Sequence, residues 1–245
     1  MRGIALAVVV VSLGRATEAA ARPHVAHAGG PRILPLGDAV VSSELARQLD
    51  AHGYQVVGDG AVDAGRVIRS FPSDPAPQLY GEATKRALEI YRPNIVLLMA
   101  GSGDLLRLAA EKPGYTLENT VDGMDALLAE IFYIAPKVRV VVAGVVASPL
   151  LRACDVVDFD GIDDVNGCGQ NTGPNLTQLV AKYSARNFNI VLAPVMSTAV
   201  PRDKAHFPDG LHPSGPGVQD AIARVWMNAI ARQTADAPVA IAPLH

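Results

Sequence analysis

Residues 93–104 read PNIVLLMAGSGD and place a continuous apolar run directly before a glycine-rich turn. The run Ile95–Met99 has the length and the unbroken hydrophobicity of a strand that is buried on both faces. Such strands are typical of parallel sheets covered by helices, and Gly101 to Asp104 would then lie at the carboxyl end of the strand. This stretch therefore predicts an α/β fold.

Strands and helices alternate on both sides of this stretch. Four more apolar or β-branched segments predict strands, at residues 32–36, 55–57, 138–146 and 189–193. Helices are predicted between and after them, at residues 43–52, 82–91, 117–131, 176–183 and 218–230. The clearest has an apolar face formed by Leu117, Val121, Met124, Leu128 and Ile131, with Thr116 as its cap. We therefore expect a flavodoxin-like three-layer α/β/α sandwich with five parallel strands in the order 2-1-3-4-5.

Composition limits the classes of partner. The chain has 245 residues, of which 49% are hydrophobic and 18% charged, enough for one domain with a sizeable core. The formal net charge is −3 and no long Lys/Arg block occurs, so we expect neither a nucleic-acid partner nor an anionic membrane surface. We also expect a monomer.

The N-terminus has the pattern of a secretory signal. Arg2 is a positive n-region, Ile4 to Leu13 is an apolar h-region too short to span a bilayer, and small residues follow up to Ala21. We therefore predict a signal peptide at 1–21, a tail at 22–31, one domain at 32–232 and a C-terminal tail at 233–245. The mature protein would be secreted and would have no membrane segment.

The two cysteines lie in a long segment after the fourth predicted strand. Export makes a disulfide between Cys154 and Cys168 plausible, and two free thiols are the alternative. The same segment holds five aspartates, at 155, 158, 160, 163 and 164, whose spacing does not fit a calcium loop, so we predict a solvated acidic loop. We expect no metal and no cofactor. Asn175 begins an Asn-Leu-Thr glycosylation sequon.

Asp209 and His212 form the most informative polar pair. A histidine that acts as a general base needs a carboxylate on its other ring nitrogen, and Asp209 is close enough in sequence to supply it. The alternative is an ordinary Asp-Gly turn with an exposed histidine. The nearby His206 is interpreted as a loop histidine.

Four segments together resemble the sequence blocks of the SGNH/GDSL hydrolases. Residues 34–38, LPLGD, are similar to the first block, which reads Gly-Asp-Ser. Gly58 stands where the second block has its glycine. Residues 95–104 are similar to the third block, Gly-x-Asn-Asp after an apolar strand, and residues 209–213 to the last, Asp-x-x-His-Pro. The resemblance covers residues 32–232 and is strongest to secreted carbohydrate esterases that deacetylate plant polysaccharides.

The resemblance implies a role for each matching position. His212 would be the base, Asp209 would orient it, and Gly58 would donate its backbone N–H to the oxyanion. Two positions depart from the family, since Ala39 stands in place of the nucleophilic serine and Gly103 in place of the oxyanion asparagine. An alanine introduced to trap substrate would account for residue 39 but not for Gly103.

These departures leave two functions open. Alanine cannot form an acyl-enzyme, and in a protease with the same triad the loss of serine costs about 2 × 10⁶ in kcat. Other routes are Ser42 or Ser43, better explained as helix-capping residues, Ser102, better explained as structural, or water activated by Asp209 and His212. The chain is therefore either an impaired hydrolase of acylated carbohydrate or a pseudoenzyme that binds a sugar or acyl ligand, with a small-molecule or polysaccharide ester as its partner.

Overall fold

A computed structural model describes residues 30–38, 43–58, 81–161, 168, 173–193, 196–215 and 217–235. Within these residues the chain forms one sheet of five strands: β1 (Arg32–Gly37), β2 (Gln55–Val56), β3 (Ile95–Met99), β4 (Arg139–Ala143) and β5 (Ile190–Ala193). All neighbours are parallel and the order is β2-β1-β3-β4-β5. The predicted fold and strand order are confirmed.

Helices cover both faces of the sheet. The α-helices are α1 (Ser43–Ala51), α2 (Glu82–Tyr91), α3 (Ser102–Ala109), α4 (Leu117–Ile134), α5 (Ala153–Asp160), α6 (Leu176–Ser184) and α7 (Val218–Ala235). A short 3-10 helix, Met196–Thr198, follows β5. As predicted, Thr116 caps α4, and its hydroxyl accepts the Asn119 N–H at 3.0 Å.

The strands divide the core into two layers because successive side chains point to opposite faces. On one face Leu34, Leu98 and Val142 pack against α4 and α6. On the other face Ile33 and Leu97 pack against α1 and α7, where Trp226 is fully buried. This packing holds the carboxyl ends of the strands along one edge, where the matched blocks begin.

Two features differ from the sequence-based expectation. The glycine-rich turn after β3 continues into α3, because Leu105 is buried and makes the segment amphipathic. The segment predicted as a long loop contains α5, which carries Asp155, Asp158 and Asp160. Asp160 is only 4% exposed, so the prediction of a solvated acidic loop is wrong at that residue; positions 163 and 164 lie outside the described residues.

Cys154 on α5 forms a disulfide with Cys168, as predicted, with a Cα–Cα distance of 5.2 Å. The bond closes a segment of 14 residues and attaches α5 to the chain that leads to α6. Among the described helices, none is long and apolar enough to cross a membrane. The predicted signal peptide, residues 1–21, lies outside the described part of the chain.

Candidate functional site

The end of β1 is bound to the turn after β3. The backbone N–H of Asp38 donates to the Met99 carbonyl at 2.8 Å, and the Asp38 carboxylate accepts the Ser102 N–H at 3.3 Å. These bonds hold the first and third matched blocks together at the carboxyl edge. Ala39, the nucleophile position, and Ser42 lie outside the described residues, as does the side chain of Ser43.

The turn after β3 requires glycine for packing. Gly101 has φ 109°, and a Cβ there would lie 2.9 Å from the Phe159 ring. Gly103, the position of the family's asparagine, is the second residue of α3, and its carbonyl accepts a bond from the Arg107 guanidinium at 3.1 Å. Because this residue is glycine, it offers no side-chain amide to an oxyanion.

Gly58 stands just after β2 in a conformation that favours glycine. Its φ is 62°, and a Cβ would lie 2.6 Å from the Tyr91 ring and 2.8 Å from Leu34. Its backbone N–H makes no hydrogen bond to another described residue. The role of this N–H as an oxyanion donor, which the resemblance implies, stays a prediction.

Asp209 and His212 are paired as predicted. The Asp209 Oδ2 atom lies 2.6 Å from His212 Nδ1. Its Oδ1 atom accepts the backbone N–H groups of Leu211 at 2.9 Å and His212 at 2.7 Å. The His212 side chain is 67% exposed, so the ring is held on one side and open on the other.

The electrostatics of this pair set the ring's tautomer. Hydrogen bonds from the His212 ring, and then from the backbone N–H groups of His212 and Leu211, hold the pKa of Asp209 below its ordinary value. An ionised carboxylate only accepts hydrogen bonds, so Nδ1 must donate to it. In the neutral ring Nε2 therefore has its lone pair free, which is the state a general base needs.

The Asp209–His212 turn lies against the loop that follows β4. A Cβ at Gly210 would lie 3.2 Å from Leu150, whose side chain is 50% exposed. Arg202 joins the same two segments by donating to the carbonyls of Ser148 at 2.9 Å and Leu151 at 2.5 Å. The turn that carries His212 thus lies beside a half-exposed leucine.

Sequence reasoning missed a second pair of the same kind. His206 Nδ1 lies 2.6 Å from Asp203 Oδ1, which also accepts the N–H groups of Ala205 at 2.9 Å and His206 at 3.0 Å. The sequence contains a signal for this second pair, because Asp203 and His206 repeat the Asp-x-x-His spacing of Asp209 and His212. His206 lies in a loop, as the sequence indicated, and it is also paired with Asp203.

Asp160 was also missed as a buried carboxyl. It lies against Gly144, where a Cβ would fall 1.9 Å from its Oδ1 atom, and this Oδ1 has no hydrogen-bond partner among the described residues. Burial raises the pKa of Asp160 to about 7, while Ser197 and the Val145 N–H, which face the carboxyl, offset part of the rise. Asp160 thus connects α5, the end of β4 and the 3-10 helix before both Asp–His pairs.

Asn175, the predicted glycosylation site, acts as the cap of α6. Its Oδ1 accepts the Gln178 N–H at 2.9 Å, its Nδ2 donates to the Gly173 carbonyl at 3.4 Å, and it is 6% exposed. The cap bond uses Oδ1 and not Nδ2, but a glycan on Nδ2 would require this buried side chain to become exposed. Among the described residues, no three His, Cys, Asp or Glu side chains are grouped as metal ligands would be.

Comparison with known proteins places this site in a structural context. No protein-family model matches the chain, and no curated protein is similar to it in sequence. Solved structures do match. A family 3 carbohydrate esterase from Clostridium thermocellum is 21% identical, with a TM-score of 0.54 over 84% of this chain and 98% of that one.

Two further structures agree with it. A family 3 carbohydrate esterase from Talaromyces cellulolyticus is 16% identical, with a TM-score of 0.56 over 84% of this chain and 99% of that one. A catalytic mutant of an acetylxylan esterase from Geobacillus stearothermophilus is 15% identical, with a TM-score of 0.53 over 82% and 94%. These likenesses confirm the predicted fold, which the chain shares with these esterases.

Proposed function

We propose that this chain is a secreted protein that binds acylated carbohydrate at the carboxyl edge of its sheet and hydrolyses the ester slowly. The observation that carries the proposal is a contrast within the site. Asp209 and His212 keep the geometry of a base and its orienting carboxylate. Ala39 and Gly103 lack the reacting oxygen and the amide that the resemblance expects beside them.

The residues that remain support a reaction without an acyl-enzyme. The free Nε2 of His212 would take a proton from water as the water oxygen attacks the ester carbonyl. Gly58 N–H would donate to the resulting oxyanion, and the tetrahedral species would then expel the alcohol, which takes the proton back from His212. This route lacks a nucleophile held in place and one oxyanion donor, so it is slow.

Carbohydrate is the proposed carrier of the acyl group because of the structural neighbours. Two of them are named as carbohydrate esterases and one as an acetylxylan esterase. Leu150, half exposed against Gly210 of the turn that carries His212, suits a short acyl chain better than a charged group.

The test compares hydrolysis and binding in the same protein. Hydrolysis of a chromogenic acetyl ester is measured for the wild type, Ala39→Ser, Gly103→Asn and the double variant, with a serine-reactive phosphonate as probe. Binding of an acetylated xylo-oligosaccharide is measured by calorimetry. We expect binding and very slow hydrolysis in the wild type, with phosphonate labelling only after Ala39→Ser. Wild-type hydrolysis at ordinary enzyme rates, with labelling of Ser42 or Ser43, would overturn the proposal.

A pure binding module is the second candidate. It is favoured by the fact that Asp38 and Ser102 keep the backbone of the site joined although the reacting side chains are absent. A folded double variant that binds the saccharide and stays inert would select this function, because the cleft would then have changed beyond the two substituted positions.

A further inference from the structure

The second Asp–His pair lines a cavity of its own. His206 contributes to a small cavity of about 180 Å³, whose other walls are Ala199, Val200, Pro201, Gly217, Val218 and Ala221. Val200 and Val218 are each 2% exposed, so the walls are fixed by the core, and the His206 side chain is 32% exposed, about half the exposure of His212. His206 thus supplies the one polar side chain among the described residues that line this cavity.

The backbone holds this imidazole in place. Asp203 accepts the His206 N–H, and the His206 carbonyl accepts the Ser214 N–H at 2.8 Å. The carboxylate can only accept, so the ring donates from Nδ1 and its neutral form offers a hydrogen-bond acceptor at Nε2. The ligand that satisfies such a ring must therefore bring a donor.

The geometry points to a second ligand site, in which His206 Nε2 accepts a hydroxyl of a neutral saccharide and Val200, Pro201 and Val218 contact its C–H face. This inference rests on the proposed function for the choice of a saccharide. A carboxylate or phosphate ligand is disfavoured because the Asp203 carboxylate already lies beside the ring as a negative charge. A sugar ring combines hydroxyl donors at its edge with apolar C–H groups on its face, which matches one polar group among apolar walls.

The cavity's size limits what it binds. It is small enough for one ring rather than a chain of several, so the site would hold a single sugar unit. Both histidines lie on the segment between β5 and α7.

The test uses methyl β-xyloside, which has hydroxyls and no acyl group. Histidine ring signals of the full chain are followed by ¹H–¹⁵N NMR during titration, with His206→Gln used for assignment. We expect a ring with Nδ1 protonated and a saturable shift of its Nε2 signal. Ala221→Leu fills the cavity from α7 while Asp203 and His206 themselves stay unchanged, and it should weaken this binding by about tenfold or more. Asp203→Asn should weaken it as well, because the tautomer is no longer fixed.

Three outcomes would overturn the inference. The first is that the xyloside causes no shift of the Nε2 signal, and the second is that Ala221→Leu shows the same shift as the wild type. The third is a shift with Zn²⁺ alone, which would indicate a metal ligand instead. These outcomes do not depend on the proposed function, since the xyloside carries no ester. Binding of the acetylated oligosaccharide that is lost in His212→Ala but kept in Ala221→Leu would leave the proposed function standing without the second site.

Discussion

The turns at residues 203–206 and 209–212 use the same local design. In each, an aspartate accepts the backbone N–H groups two and three residues later, and the histidine ring lies 2.6 Å from the carboxylate. They differ in what surrounds the ring. His206 borders an apolar cavity beside α7, whereas His212 is more exposed and lies on the turn that contacts Leu150.

Because both turns form this Asp–His hydrogen bond, the bond alone cannot assign a catalytic role to either pair. The spacing produces it locally, because a carboxylate that caps a turn is already within reach of a ring three residues on. The role of each pair follows from its neighbours, so the useful experiments change what the two rings face and compare the responses.

The largest expected effect is a gain of activity that depends on only one of the pairs. Ala39→Ser with Gly103→Asn should raise hydrolysis of a chromogenic acetyl ester by roughly 10³–10⁶-fold, because it supplies a nucleophile and an oxyanion donor. Ala39→Ser alone should recover part of this gain. Gly103→Asn alone should recover almost none, since a donor without a nucleophile stabilises nothing that forms.

Histidine substitutions added to that double variant compare the two Asp–His pairs directly. Adding His212→Ala should return the rate to background, whereas His206→Ala should lower it by about tenfold or less. His52→Ala, at an exposed histidine after α1 whose ring lies 2.8 Å from the Gln48 carbonyl, should leave the rate unchanged. If His206→Ala removed the gain, the assignment of the two pairs would have to be exchanged.

The next largest effect concerns Asp160, a buried carboxyl at the end of α5. It lies against Gly144 after β4 and faces Ser197 of the 3-10 helix Met196–Thr198, which precedes both turns in the chain. Its pKa is about 7 in the folded protein and about 4 when unfolded, so between these pH values the folded chain keeps a proton that the unfolded chain releases. Its contribution to stability is therefore greatest below pH 4 and falls as the pH rises to about 7.

Asp160→Asn should remove this dependence. The variant should match the wild type in urea unfolding near pH 4 and exceed it near pH 8, by on the order of 4 kcal/mol at 1.36 kcal/mol per pKa unit. The pKa values of Asp203 and Asp209 are lowered, so these carboxylates stabilise the folded chain above the ordinary carboxyl pKa. That stabilisation is lost only as the pH falls below the ordinary range, which is the opposite dependence to that of Asp160. If the free energy of unfolding of the two proteins depended on pH in the same way, Asp160 would not be a buried acid with a raised pKa.

Much of the fold could be predicted from local pattern, and part of the site could not. Ile95–Met99 was predicted with its observed bounds because a buried parallel strand is apolar throughout. The helix α3 was missed because Gly101, Ser102 and Gly103 are typical of a turn, and only the burial of Leu105 shows that a helix begins there.

The two missed site features have different causes. Asp160 was missed because its burial depends on contacts with Gly144 and Ser197, far away in sequence, which no spacing reveals. The Asp203–His206 pair is local and could have been found from its spacing. The resemblance to known blocks directed attention to Asp209 and His212 alone.

A smaller effect is expected from the disulfide, which supports only one of the two turns. Cys154 fixes α5, and the loop just before α5 carries Leu150, which contacts Gly210 in the second turn. Replacing both cysteines by serine should lower the free energy of unfolding by about 3 kcal/mol, as expected for a closed loop of about this length. The His212 ring signal should shift more than that of His206, and equal shifts would show that the disulfide does not act through Leu150.

The smallest expected effect tests whether the two turns respond independently. Arg202 directly precedes Asp203, yet its guanidinium donates to Ser148 and Leu151 in the loop that contacts the second turn. Arg202→Gln should cost about 1–2 kcal/mol in urea unfolding, because two hydrogen bonds from a charged group are lost at a partly exposed position. The free energy of unfolding of Arg202→Lys, which keeps the charge but not the guanidinium, should fall between those of Arg202→Gln and the wild type.

The ring signals of the two histidines show whether the loop after β4 transmits the change. If it does, the His212 ring signal of Arg202→Gln moves although Arg202 is adjacent in sequence to the other pair. If only His206 responds, the turns are separate units and the loop after β4 does not position the candidate base.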